Sequence, residues 1–167
     1  MIKMKDIKEL NFKITWKLLY RGILNNQLTT EDIVEYAMKQ LEKGDDRMEI
    51  CELSGLRDSE IDDILDILND LANEENSQSE IEERKLRAAI VRNALNVKHD
   101  NCIDGLMELT ELWVGLGYPK DSPHIIQGKD NNITPLDYYT DENYNYLYEK
   151  NRRWLEKEIN FLVAHQE

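Results

Sequence analysis

Ser59-Glu60-Ile61-Asp62-Asp63-Ile64-Leu65-Asp66-Ile67-Leu68-Asn69-Asp70-Leu71-Ala72 decides the fold class. Ile61, Ile64, Leu65, Leu68 and Leu71 recur at three- and four-residue spacing, which places them on one face of an α-helix and fits no two-residue strand alternation. Asp62, Asp63, Asp66 and Asp70 fall on the other face. One side of this helix is therefore expected to enter a core while the other presents carboxylates to water.

The same period runs outward in both directions. Toward the N-terminus, Gly55 separates this helix from a short one near Asp46 to Leu53. Before that, Thr29 or Thr30 caps a helix whose stripe is Ile33, Ala37, Met38 and Leu41, with Glu31 and Asp32 in its first turn and Gly44 closing it. Phe12, Trp16, Leu19, Tyr20 and Ile23 predict a helix from about Asn11 to Asn26, paired with the next as an antiparallel hairpin. Toward the C-terminus, the polar connector Asn73 to Gln78 leads to Ser79, which with Glu82 forms a capping box for a helix through Leu95. That helix reads as basic outside, with Arg84, Lys85, Arg87 and Arg92. A helix over Asn101 to Val114 is expected to bury Cys102, Ile103, Leu106, Met107 and Trp113.

Between Leu116 and Thr140 the pattern stops, and Pro119, Pro123, Gly128, Asn131, Asn132 and Pro135 punctuate the chain. So long a connection is uncommon in a small domain and points to function. Thr140 then caps a last long helix with Tyr144, Leu147, Tyr148, Trp154, Leu155 and Leu162 as its stripe. The expectation is an all-α fold: a compact multi-helix bundle of about seven helices built from helical hairpins, with one long irregular loop before the last helix. Residues 1–167 form a single helical domain in this reading, since 167 residues with 41% hydrophobic content suffice for one core.

Charge narrows the partners. The chain carries 34 acidic and 21 basic residues, a net of −13. Thr29 to Glu83 holds 19 acidic residues against 4 basic, a net of −15, so the remainder is +2. Such a block repels phosphates and anionic lipid and speeds encounter with basic proteins. The plain alternative is a set of solvated helix faces that keep the protein soluble. The charged start and the lack of any span of ~20 apolar residues predict a cytoplasmic protein with no membrane partner. Cys51 and Cys102 read as small core residues rather than as a disulfide.

Motifs exclude more than they assign. Ile50, Cys51, Gly55, Leu56, Ile61 and Ile64 match helix-turn-helix spacing, but the recognition helix would expose Asp58, Glu60, Asp62, Asp63 and Asp66 toward phosphates, so no nucleic-acid binding is expected. Asp62 and Asp66 share a helix face, but acid–base work needs a cleft that splits their pKa values, whereas acid pairs at this spacing on an exposed face are solvated; the order of a calcium loop is missing. His99, His124 and His165 are scattered, and no zinc spacing, nucleophile elbow or phosphate loop occurs. No catalytic residue, metal or cofactor is expected. Aromatics gather in the last third: Tyr144, Tyr148 and Trp154 fit packing roles, whereas Tyr118, Tyr138, Tyr139 and Tyr146 stand freer for contact with a partner.

Asn11-Phe12-Lys13-Ile14-Thr15-Trp16 running to Asp32-Ile33-Val34-Glu35-Tyr36-Ala37, Leu116-Gly117-Tyr118-Pro119-Lys120-Asp121-Ser122-Pro123, and Pro135-Leu136-Asp137-Tyr138-Tyr139 resemble a family of small bacterial proteins of unknown function. Members resemble proteins found beside polymorphic toxin genes, where they stand as candidate immunity proteins. The resemblance implies an inhibitor-like role, each member binding and silencing one toxin, and it carries no catalytic or binding residue; the acidic block is what fits a basic toxin domain. The expected surface is Asp58, Asp62, Asp63, Asp66 and Asp70, with Tyr118, Tyr138 and Tyr139 as a second anchor. A scaffold module with a housekeeping partner, or a helical enzyme without a recognised motif, are the alternatives.

Overall fold

A computed structural model describes residues 2–166, and among them there is no β-strand. The helices are α1 (Met4–Lys8), α2 (Trp16–Leu24), α3 (Thr30–Glu42), α4 (Met48–Leu53), α5 (Ile61–Glu74), α6 (Ser79–Leu95), α7 (Cys102–Gly115), α8 (Pro135–Tyr138) and α9 (Asp141–Ala164), with a 3₁₀ turn at Asp58–Glu60. The all-α class is as expected. Two short helices add to the seven: α1, which buries Met4 and Ile7, and α8, which begins on Pro135 behind the Thr134 cap. Each is too short to show a period in sequence. Among the described residues no helix is long and apolar enough to cross a membrane.

Local chemistry sets several ends where they were expected. Thr29 accepts from the Asp32 N–H while the Asp32 carboxylate accepts from the Thr29 N–H, a reciprocal box that starts α3. Gly44, at φ +95°, supplies the left-handed residue that stops it. Thr140 accepts from the Asn143 N–H at the head of α9. The first long helix, in contrast, begins at Trp16 and not near Asn11. Asn11 is itself left-handed, at φ +58°, and Thr15 caps the helix by accepting from the Leu18 N–H at 3.0 Å.

Contacts divide the chain into two units: residues up to Ala89 with the C-terminal segment from Leu162, and Ile90–Phe161. In the first unit α5 is the hub, packed chiefly on α2 and also on α4, while α3 packs on α4. The neighbour of α2 is thus α5 more than α3, because Ile64, Leu68 and Leu71 of α5 give the wide apolar face that Leu18, Leu19 and Ile23 need. In the second unit α7 packs on α9: the Trp113 indole N–H donates to Asn151 at 2.6 Å, and Trp113 meets Trp154 edge-on at 5.0 Å.

Five expected burials are corrected. Met38 is 51% exposed, since α3 turns Ile33 and Ala37 inward and carries Met38 past the core edge. Ile103 and Met107 are 46% and 48% exposed, since α7 buries Gly105, Leu106, Leu109 and Trp113 instead. Cys51 lies exposed on α4, whose inward residues are Ile50 and Leu53, and Cys102 is half-buried.

Lys85 is the reverse case. Expected on a basic outer face, it is buried beside Glu82, with its ammonium 3.2 Å from both carboxylate oxygens and donating to the Lys13 carbonyl at 3.3 Å. Burial pushes the Glu82 carboxyl up, against the Lys85 charge and a Thr15 hydrogen bond that pull it down. Nearby, Glu75 accepts from the Trp16 and Lys17 N–H groups at 3.0 and 2.8 Å. Lys17 in turn donates to the Glu75 and Ser77 carbonyls. The polar connector is therefore tied to the start of α2, where free N–H groups and the positive end of the helix dipole favour a carboxylate.

Candidate partner-binding surface

The apolar stripe of α5 is held inward by α2 and α4, and this fixes what the helix shows outside. Asp62, Asp63, Asp66 and Asp70 are all exposed and fall within roughly 100° of the helix circumference. Among the described residues no ion pair or hydrogen bond engages these four side chains. Asp58 is exposed in the 3₁₀ turn just ahead, where its carboxylate accepts from the Thr30 hydroxyl. The structure thus brings four of the five predicted carboxylates to one face of α5, with the fifth, Asp58, in the 3₁₀ turn just ahead of it. Among the described residues no three His, Cys, Asp or Glu side chains converge as a metal-holding group.

The tyrosines part company. Tyr138 was expected free on the loop, but it is 1% exposed. Its hydroxyl donates to the Ile125 carbonyl at 2.7 Å, and burial pushes its phenol pKa up. It is a core residue of the second unit. Tyr139 is half-buried and meets the Tyr138 ring edge-on at 5.0 Å. Tyr118 is half-buried as well, its hydroxyl donating to the His124 carbonyl at 3.0 Å and its ring covered by the Lys129 ammonium at 3.8 Å. Tyr118 and Tyr139 keep partly open surface for a partner, and Tyr146 on α9 is exposed.

The loop these residues occupy is cross-tied. Asn131 donates to the Ile126 carbonyl at 2.8 Å and Gln127 to the Ile133 carbonyl at 2.9 Å. At its base lies His124, 2% exposed, with Nε2 at 3.0 Å from the Thr110 hydroxyl and 3.3 Å from the Tyr138 hydroxyl. Thr110 gives its own proton to the Leu106 carbonyl and Tyr138 gives its proton to Ile125. Nε2 must therefore be the donor, which leaves Nδ1 an unprotonated acceptor, and that atom is buried without a partner among the described residues. Burial first, and the Lys150 charge second, depress the His124 pKa to about 4. Neither Lys85 nor His124 carried a signal in sequence, because what buries them depends on distant groups: the Lys13 carbonyl 72 residues from Lys85, and Thr110 and Tyr138 each 14 residues from His124.

One family model matches residues 4–159, under the description "Uncharacterized protein conserved in bacteria (DUF2247)". No curated protein and no solved structure matches. With the match running from the first residue of α1 well into α9, the chain belongs to this family of uncharacterised proteins conserved in bacteria.

Proposed function

We propose that this is a cytoplasmic protein-binding protein that neutralises a cognate basic toxin domain and works by occupancy rather than catalysis. The observation that supports it is the row of four unpaired carboxylates on α5, Asp62, Asp63, Asp66 and Asp70, set in a block of net charge −15. Carboxylates without internal cations project their full field, which steers a basic partner and places negative charge where a nuclease expects phosphates.

Co-purification with the product of the adjacent upstream gene tests the reading, and no complex at micromolar concentration overturns it. Within a complex, Asp62→Lys with Asp66→Lys should slow association by about tenfold at low salt and much less at high salt. Association rates that ignore both changes would reduce the acid row to a solvated face. A scaffold role with a housekeeping partner is the second reading, drawn from the exposed Ile103, Met107 and Val114 of α7. A gene neighbourhood without a toxin would favour it.

A further inference from the structure

Between α3 and the segment Leu56 to Ser59 lies an open groove of about 770 Å³. Val34 and Met38, one turn apart on α3, and Leu56 make its apolar part. Glu31 and Glu35, also one turn apart, and Asp58 on the opposite wall make its acidic part, with Arg57 as the single cation among the lining residues. Thr30 donates to the Asp58 carboxylate and so ties the two walls together. Glu35 pairs with Lys39, but the two side chains are 58% and 44% exposed, and an exposed pair of this kind is worth little and exchanges readily.

We infer that this groove is the docking site for a cationic amphipathic segment of a partner protein, an inference that rests on the protein-binding reading above. The apolar side chains of that segment pack on Val34, Met38 and Leu56, and its Lys or Arg residues meet Glu31, Glu35 and Asp58. Charge complementarity selects this occupant. Three carboxylates against one guanidinium repel nucleic acid and anionic lipid, and a second copy of a chain at −13 is repelled as well. A simple hydrated cation gains nothing from the apolar floor, whereas a helix with one basic and one apolar face uses both. Met38 suits the task, since an unbranched thioether adapts to the side chain that covers it.

The test is a titration of the full chain with a fluorescent Leu/Lys peptide of about 15 residues, its leucines at helical three- and four-residue spacing, alongside a scrambled isomer of the same composition. The patterned peptide should bind more tightly than about 1 mM, and the scrambled one about tenfold more weakly. Met38→Asp changes an exposed residue, so the thermal melt should stay unchanged while peptide affinity falls by about tenfold or more. Glu31→Lys with Glu35→Lys should weaken binding most at low salt. No binding, equal binding of the scrambled peptide, or an unaltered affinity in Met38→Asp overturns the groove. The two ideas fail separately. Peptide binding as expected, with no complex between this protein and the upstream gene product, retains the groove and overturns the toxin reading. A toxin complex that Met38→Asp leaves intact retains the toxin reading and overturns the groove.

Discussion

At the residue scale the informative groups are the buried polar ones, because each tolerates so few alternatives. Glu82 and Lys85 are 1% and 2% exposed, so each needs the other's charge. Lys85→Met should destabilise the fold by about 3–5 kcal/mol in urea unfolding by leaving a buried carboxylate alone, and Glu82→Leu added to it should recover most of the loss. An unchanged midpoint in Lys85→Met would show that water reaches the pair. His124 gives a pH dependence whose sign follows from its depressed pKa. The unfolded chain binds a proton near pH 6.5 and the folded one only near pH 4, so stability falls as pH drops through that window and is fully present above it. The loss is at most about 3 kcal/mol. His124→Gln should flatten this part of the stability curve measured against wild type, and a slope of equal size in both proteins would assign it to the carboxylates instead.

At the element scale, α7 and α9 approach so closely that one glycine decides the fit. A Cβ at Gly105 would lie 2.4 Å from the Tyr144 ring, whose hydroxyl accepts from the His99 N–H at 3.0 Å. Alanine should raise helix propensity by ~1 kcal/mol, while overpacking against a ring pinned by that hydrogen bond costs roughly 1–3 kcal/mol. Gly105→Ala should therefore lower the melting temperature, and Tyr144→Leu in the same chain should restore part of it. A higher melting temperature in Gly105→Ala alone would mean that the ring moves aside freely. For α5 the corresponding statement concerns surface: Asp62, Asp63, Asp66 and Asp70 hold no partner among the described residues, so changing them should alter encounter rates and not the fold.

At the scale of the whole molecule the uneven charge is the main property. A net −13, with −15 confined to Thr29 to Glu83, opposes polyanions at any orientation in which that block faces them. The helix-turn-helix spacing of α4 and α5 should accordingly give no retardation of duplex DNA in a low-salt gel shift. A shift that fades steeply with added salt would show phosphate contacts and overturn this expectation.

Periodicity alone determined the helical class, most helix spans and the outward carboxylates of α5, because an amphipathic stripe and a solvated charge are local properties that need no knowledge of neighbours. Cap chemistry at Thr29, Gly44 and Thr140 was legible for the same reason. Tertiary structure decided which way each stripe turned. On α7, Ile103 and Met107 compete with Leu106, Leu109 and Trp113 for the interior, and only packing on α9 settles the rotation in favour of the latter. It also decided which charged and aromatic residues go inside. Lys85 is buried because Glu82 and the Lys13 carbonyl meet it, and Tyr138 because Ile125 and His124 do. Such partners lie up to 72 residues away, and a buried polar group is stable only once all of them have arrived.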